Sequence, residues 1–135
     1  MNKPFIVAEV GANHNGTLDR AIKIVEAAAH AGVDGLKLQT WNPHGMTMSE
    51  QEIKGGPWDG RSLKDLYREA RTPWHWHKQI FDRCKELGLV GFSTPFDLPS
   101  LVFLGSLDCP IYKVASFEII DLDLIAAIAR TGKPM

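Results

Sequence analysis

Residues 111–118, Ile-Tyr-Lys-Val-Ala-Ser-Phe-Glu, carry the pattern that decides the fold class. The run 111–115 is apolar except for Lys113, as expected of a short buried strand, and Ser116 and Glu118 follow closely. An ammonium, a hydroxyl and a carboxylate therefore lie near the end of one predicted strand. Sheets of parallel strands bind ligands at the carboxyl ends of the strands, where the loops to the helices begin. The stretch thus predicts a parallel sheet and one edge of a binding site.

Three earlier segments of the chain have the same form, short and apolar with polar residues at the end. Glu9 lies at the end of the first segment. In the second, Lys37 and Gln39 share one face because strand side chains alternate. The strand ends are therefore expected to share one site. The four predicted strands are residues 5–10, Gly35–Thr40, 89–93 and 111–115.

Helical periodicity, capping residues and breakers predict helices between the strands. Thr17 is placed to cap the first helix, and Thr72 followed by Pro73 has the form of a cap and a first helical residue. The long connection 41–71 is punctuated by glycine and proline, so we expect a lid or a binding loop there. The predicted helices are residues 18–31, 62–70, 72–87, 99–107 and 122–130.

The order of these elements predicts a parallel sheet with right-handed crossovers. Four β-α units are half of an eight-stranded barrel, which needs about 250 residues. A flavodoxin-like sheet is the alternative at this length, but it needs a fifth strand, of which residues 132–135 resemble only the lead-in. The expected fold class is α/β, the first half of a TIM (β/α)8 barrel. Residues 1–135 are therefore expected to be a fragment of a larger barrel.

The composition argues against several classes of partner. The 135 residues hold 15 basic and 16 acidic side chains, a net charge of −1, which disfavours nonspecific binding to nucleic acid or to membranes. No signal peptide and no apolar span of about 20 residues is recognisable. Cys84 and Cys109 lack zinc-ligand spacing and are too few for a disulfide framework. Free core thiols in a cytoplasmic protein are therefore expected.

Two lysines on predicted strands are the strongest sign of a site. Lys37 and Lys113 each lie late on an apolar strand, and a buried ammonium needs a partner because its desolvation is costly. The partners are either Glu9 and Glu118 or an anionic ligand such as a phosphate or carboxylate. Two lysines at neighbouring strand ends, with Ser116 as a further donor, favour the anion site. The two carboxylates would then orient hydroxyls or move protons on a neutral polyol.

The histidines and glycines disfavour other kinds of site. His75 and His77 are two residues apart on a predicted helix, so they point away from each other and do not form a helical metal site. His14 lies in a loop bracketed by Gly11 and Gly16, which makes it a better functional candidate. That loop lacks the spacing of a nucleotide-binding motif, so no nucleotide cofactor is expected.

Four motifs in order carry a family resemblance. They are Ala-Glu-Val-Gly-Ala-Asn-His-Asn-Gly at 8–16, Leu-Lys-Leu-Gln-Thr at 36–40, Ser-Thr-Pro-Phe-Asp at 93–97 and Tyr-Lys-Val-Ala-Ser at 112–116. Together they resemble the N-terminal domain of the sialic acid synthase family. Pro-Trp-Asp-Gly at 57–60 and Phe117 most resemble the pseudaminic branch, since sialic acid synthases proper tend to carry glycine where Phe117 stands.

The resemblance implies a (β/α)8 barrel that condenses phosphoenolpyruvate with a 2-acetamido sugar in its open aldehyde form and releases phosphate. In the pseudaminic branch the acceptor is a 2,4-diacetamido-2,4,6-trideoxy-altrose and the product is pseudaminic acid. Synthesis of N-acetylneuraminate or legionaminate by the same chemistry remains an alternative. An inactive half-barrel that binds a phospho-ligand is the other alternative.

The resemblance also implies parts that this chain does not contain. A divalent metal, Mn²⁺ or Mg²⁺, polarises the sugar aldehyde, and its ligands lie outside the chain. A C-terminal antifreeze-like domain lends an arginine to the partner's site in a homodimer. We therefore expect residues 1–135 alone to be inactive.

Site residues follow from the resemblance by position. Lys37, Lys113 and Ser116 would bind phosphoenolpyruvate, in agreement with the anion site argued above. Glu9 and Glu118 would be the catalytic carboxylates, with Glu9 against the sugar and Glu118 as an acid–base or orienting group. The residues implied to frame or select the sugar are Gln39, Thr94 and Phe117.

Overall fold

The computed structural model describes residues 3–42, 45–46 and 52–135. Within them, three parallel strands lie in the order β1 (Val7–Glu9), β2 (Gly35–Thr40) and β3 (Val90–Pro95). The chain is α/β with a parallel sheet, consistent with a partial barrel. The helices of the described part are α1 (Leu18–His30), α2 (Leu63–Ala70), α3 (Trp74–Glu86), α4 (Leu98–Ser106) and α5 (Leu122–Arg130).

The register of the sheet aligns the predicted polar residues. Glu9 pairs with Lys37 between β1 and β2, and Gln39 pairs with Thr94 between β2 and β3. Paired residues of parallel strands point to the same face, and alternate residues of a strand share a face. Glu9, Lys37, Gln39 and Thr94 therefore belong to one face, and Thr40 belongs to the other.

The face of β2 opposite Lys37 forms the larger part of the core. Leu36 and Leu38 are fully buried there and pack with Val25 of α1 and with Ile80 and Cys84 of α3. Each fully buried aliphatic side chain contributes roughly 1.5–3 kcal/mol. A second cluster packs α4 and α5 together, and its buried members are Phe92, Leu101, Leu104, Cys109, Tyr112, Leu124 and Ile128. Cys84 and Cys109 are free and buried, as predicted.

The predicted fourth strand, residues 111–115, is wrong as a strand. The segment is joined to β3 by an isolated parallel bridge between Tyr112 and Ser93, and Lys113 N donates to Ser93 O at 3.3 Å. On the side of the segment away from β3, Tyr112 N donates to Pro134 O.

The first and third strands also differ from their predicted bounds. β1 is shorter than the predicted strand 5–10. The predicted segment is also not fully buried, since Phe5 is 53% and Ile6 49% exposed. The backbone N–H of Ile6 donates to the side chain of Asp34 rather than extending the strand. β3 runs two residues further than predicted, so that Thr94 belongs to the strand.

The predicted helices are present, with corrections at their N-termini. Ser62, Asp97 and Asp121 cap α2, α4 and α5 by accepting backbone N–H groups of the first turn. Thr17 precedes α1 without such a side-chain bond. Thr72 is not the cap of α3, whose N-cap position is taken by Pro73.

The long connection between β2 and α3 is partly folded. A short 3-10 helix (Gly56–Trp58) and α2 lie within it, and Glu52 forms an antiparallel bridge with Ser62. Residues 43–44 and 47–51 of the connection lie outside the described residues. In the described part of the chain, no helix is long and apolar enough to span a membrane.

Candidate active site

Lys37 lies buried in the sheet with two polar partners near its ammonium. Its side chain is 6% exposed, and Nζ lies 3.3 Å from Glu9 Oε2. Nζ also donates a long hydrogen bond of 3.5 Å to Thr94 Oγ1. The Glu9 side chain is 63% exposed, so the carboxylate remains within reach of solvent. The cluster therefore presents a nearly dry cation beside a hydroxyl and an accessible acid.

Gln39 belongs to this cluster by position. It lies in register with Thr94, is half-buried and shares a face with Lys37. Three strands thus bring four of the predicted residues to neighbouring positions. Of the two partners that the sequence left open for Lys37, the structure has Glu9 in place. An anionic ligand stays a prediction.

Glu118 has the environment of a perturbed acid. It lies in a 3-10 helix (Phe117–Ile120), and its Oε2 is buried without a hydrogen-bond partner among the described residues. Burial raises the pKa of the Glu118 carboxyl, and the charge of Lys113 offsets part of that effect. A carboxyl in such a place holds its proton more tightly than a solvated one and can deliver it to a ligand.

The other predicted residues of this segment are more exposed than expected. Lys113 was predicted on a buried strand, but the residue is exposed. Ser116 is exposed at the start of the 3-10 helix, and Phe117 is 85% exposed. These three residues lie near Glu118 along the chain. Their binding roles stay predictions.

A cavity of about 590 Å³ opens between the loop after β1 and the long connection. Asn13 and Asn15 line it from the first loop, and Trp58 lines it from the connection. Arg61 and Glu69, which form an ion pair, complete its polar lining. Its volume lies within the range of small-molecule sites. The connection therefore does contribute to a cavity, as its length suggested.

His14 is fully buried under that first loop rather than presented to a ligand. Gly16 N donates to its Nδ1 at 3.1 Å, and its ring meets the edge of Trp76 at 5.5 Å. Burial lowers the pKa of His14, which favours the neutral ring. The predicted functional histidine thus supports the shape of the loop.

A buried polar chain on the opposite face of the sheet was missed by the sequence analysis. His77 Nε2 lies 2.7 Å from Thr40 Oγ1, which lies 2.6 Å from Ser93 Oγ. The signal that could have found it is alternation: Thr40 and Ser93 sit beside Gln39 and Thr94 but on the other face. His77 is not available to a metal, because both of its ring nitrogens face protein oxygens.

The described residues do not form a metal centre of their own. In residues 3–42, 45–46 and 52–135, no group of three His, Cys, Asp or Glu side chains is close enough to hold an ion. The metal implied by the family resemblance therefore has no assigned ligands in this part of the chain.

Comparison with known proteins decides the family. The profile of the NeuB family matches residues 24–135, which is most of the chain. This chain belongs to the NeuB family. Its membership agrees with the resemblance that the four motifs carry.

Two relatives within this family show which synthases the chain is similar to. The chain is 46% identical over 139 residues to the pseudaminic acid synthase of Helicobacter pylori, covering 100% of this chain and 41% of that protein. It is 32% identical over 139 residues to the N,N'-diacetyllegionaminic acid synthase of Campylobacter jejuni, covering 98% of this chain and 41% of that protein. This NeuB-family chain therefore spans about two fifths of the length of these relatives.

A solved structure agrees with the fold. The chain matches the crystal structure of the N-acetylneuraminic acid (sialic acid) synthetase from Leptospira borgpetersenii serovar Hardjo-bovis, in complex with citrate, with a TM-score of 0.86 and 29% identity. The match covers 98% of this chain and 43% of that chain. The strands and helices described above are thus arranged as in part of a NeuB-family synthase.

Proposed function

We propose that this chain is the N-terminal part of a synthase that joins phosphoenolpyruvate to a 2,4-diacetamido-2,4,6-trideoxy-altrose. The products would be pseudaminic acid and phosphate. The observation that carries the proposal is the buried Lys37 ammonium, with Glu9 and Thr94 beside it at the carboxyl ends of parallel strands. The greater identity to a pseudaminic acid synthase than to a legionaminic acid synthase supports the choice of acceptor.

Lys37 would bind the anionic groups of phosphoenolpyruvate. A cation that is 6% exposed attracts an anion more strongly than a solvated one, because little water screens it. Thr94 would add a hydroxyl donor, and Lys113 and Ser116 would close on the same ligand from the following segment. Placement by several charge-assisted bonds would hold the enol carbon for attack on the aldehyde.

Two carboxylates would serve different parts of the reaction. Glu9 is exposed beside Lys37 and would accept hydrogen bonds from sugar hydroxyls. Burial of Oε2 raises the pKa of the Glu118 carboxyl, which would suit it to proton transfer at the reacting centre. Gln39 would frame the sugar from the same face, and Phe117 would select between acceptors.

The cavity beside the first loop is lined by Asn13, Asn15 and Trp58 and by none of Glu9, Gln39 and Thr94, so the acceptor is not assigned to it. The rest of the synthase would complete the eight-stranded barrel, hold the divalent metal and form the homodimer. We propose a cytoplasmic location for it, since its substrates would be cytoplasmic metabolites.

A different acceptor is the second candidate. The 32% identity to a legionaminic acid synthase and the structural match to a sialic acid synthetase favour the same chemistry on another acetamido sugar. An inactive module that binds phospho-ligands is the non-enzymatic alternative. It would need only the Lys37 cluster.

The test is phosphate release from phosphoenolpyruvate in the presence of Mn²⁺. The complete protein that carries this chain is offered the altrose derivative, N-acetylmannosamine and the legionaminate precursor in parallel, and residues 1–135 are assayed beside it. Turnover with the altrose derivative alone is the expected result. Turnover with another sugar alone would overturn the assignment of the acceptor. No phosphate release with any of the three sugars would overturn the proposal that the protein is a synthase. Turnover by residues 1–135 would overturn the expectation that this part is inactive.

A further inference from the structure

A chain of buried hydrogen bonds links α3 to the ends of β2 and β3. His77 Nδ1 lies 3.2 Å from Pro73 O, and His77 Nε2 lies 2.7 Å from Thr40 Oγ1. Thr40 Oγ1 in turn lies 2.6 Å from Ser93 Oγ. His77, Thr40 and Ser93 are all 0% exposed. Water therefore does not compete for these bonds.

The chemistry of the groups sets the direction of the chain. Pro73 O only accepts, so Nδ1 carries the ring proton and donates it. Burial lowers the pKa of His77 to about 4, so the ring is neutral near pH 7 and Nε2 is an acceptor. The Thr40 hydroxyl donates its single proton to His77 Nε2, so it accepts a hydrogen bond from the Ser93 hydroxyl. The hydrogen bonds run one way, from Ser93 through Thr40 and His77 to Pro73.

The same strand ends carry the anion site on their other face. Thr40 follows Gln39, and Ser93 precedes Thr94, whose hydroxyl accepts from the Lys37 ammonium. A shift of either strand end that breaks the buried chain also moves its neighbour on the site face. The Ser93 carbonyl in addition accepts from Lys113 N, which ties the following segment to the same point.

We propose that His77 is a positioning residue for the anion site, because its acceptor nitrogen orders the Thr40 and Ser93 hydroxyls and thereby holds Gln39 and Thr94 beside Lys37. This inference rests on the anion-binding part of the proposed function. His77 itself does not touch the ligand. Its effect is on the alignment of the two strand ends, so affinity for the anion is the quantity it controls.

The test compares variants that keep or remove the acceptor nitrogen. His77→Gln can supply a side-chain oxygen to Thr40, whereas His77→Leu cannot. Binding of inorganic phosphate and of phosphoenolpyruvate to the complete protein is measured by calorimetry, with Lys37→Met defining the loss of the site. We expect His77→Leu to weaken both affinities about tenfold and His77→Gln to stay within about threefold of the unaltered protein.

A second pair of variants, at Thr40, keeps the test valid if His77→Leu does not fold. Thr40→Val removes the hydroxyl at nearly constant shape, and Thr40→Ser retains it. Ile80→Ala is the matched structural control, since Ile80 is fully buried on the same helix but belongs to the apolar cluster. If Ile80→Ala lowers the unfolding temperature as much as His77→Leu and weakens phosphate binding equally, the role is structural and the proposal is overturned. Full affinity in both His77→Leu and Thr40→Val would overturn it as well.

The outcomes separate this inference from the proposed function. Phosphate binding that depends on Lys37 and His77, without phosphate release from phosphoenolpyruvate, would refute the synthase and leave the positioning role intact. Turnover by the complete protein, together with phosphoenolpyruvate affinity and KM that are unchanged by His77→Leu, would refute the positioning role alone. If Lys37→Met changes the binding of neither phosphate nor phosphoenolpyruvate, both the proposed function and the positioning role are refuted.

Discussion

The Lys37 ammonium lies 3.3 Å from Glu9 Oε2, although one side chain is 6% and the other 63% exposed. A buried ammonium left without an anion is costly, but the solvated Glu9 carboxylate recovers its water when another anion takes its place. The pair can therefore open without much loss when another anion arrives. Lys37 is held by the sheet, and its counter-ion is replaceable.

Replacing Lys37 tests the anion site directly. We expect Lys37→Met to weaken binding of phosphoenolpyruvate about 10- to 100-fold, since a hydrogen bond to a charged group is lost. Lys78→Met is the control, because Lys78 is 72% exposed and pairs with Asp82 on the helix surface. Calorimetric affinities are the measurement. Equal affinities in both variants would remove Lys37 from the site.

Glu118 should destabilise the protein at neutral pH while it serves the reaction. Its raised pKa means that the folded state binds the proton more tightly than the unfolded state does, so stability falls as pH rises through that pKa. We expect Glu118→Gln to raise the unfolding temperature at pH 8, with a smaller gain at pH 4. Turnover should fall about 10²- to 10⁴-fold, as for a lost general acid.

The exposed Glu52 provides the control for this variant. Glu52→Gln is expected to leave both the unfolding temperature and turnover unchanged. Scanning calorimetry at the two pH values and the phosphate-release assay give the two readouts. If Glu118→Gln is less stable than the unaltered protein at pH 8, the carboxylate has a stabilising partner and our account of its burial fails.

His77 should make stability depend on pH in the acid range. Its pKa is lowered by burial from the ordinary 6.5 to about 4, so the folded state favours the neutral ring. The stability that comes from the neutral ring is fully present above pH 6.5. It is lost as pH falls toward about 4, where the loss of unfolding free energy approaches about 3 kcal/mol. The groups in contact with the ring are Pro73, Thr40, Phe81 and Phe103, all uncharged.

Denaturant unfolding between pH 4 and 7 measures this dependence. We expect His77→Gln to show a shallower loss of unfolding free energy than the unaltered protein. His75→Gln, two residues away on the exposed side of α3, should retain the full slope. Parallel pH profiles for all three proteins would show that His77 does not titrate in this way.

The Asp97 side chain links the residues that follow β2 to those that follow β3. Its Oδ1 accepts from Ser100 N at the start of α4, and its Oδ2 accepts from Asn42 N just after β2. We expect Asp97→Ala to lower the unfolding free energy by about 2 kcal/mol, one part for the cap and one for the second bond. Asp121→Ala, which removes the cap of α5 at Leu124 N, should lower it by about 1 kcal/mol. Equal losses would show that the Asn42 bond contributes nothing.

Sequence patterns that depend on neighbours along the chain were predicted well. The bounds of β2, α2 and α5 follow from apolar runs, capping residues and glycine stops, which act over a few residues. Gly32 and Gly88 adopt a φ of +75° directly after α1 and α3, as breakers that end helices do. These features need no knowledge of the rest of the fold.

Patterns that depend on a partner strand were predicted less well. Residues 111–115 have the composition of a strand, but an isolated bridge between Tyr112 and Ser93, and not a continuous ladder, joins them to β3. Thr72 has the composition of a cap, yet its hydroxyl is buried with no hydrogen-bond partner among the described residues. Local propensity does not reveal which backbone groups are already taken.

The sequence by itself determined the α/β class, the family and the common face of Lys37 and Gln39, since strand side chains alternate. The tertiary structure brought Thr94 into β3, in register with Gln39. Only the tertiary structure decided that Lys37 is nearly dry while Glu9 and Lys113 are exposed. It also decided that His77 reaches Thr40, from which Ser93 is 2.6 Å away. Solvent exposure and contacts across elements arise from packing between distant parts of the chain, which no local pattern encodes.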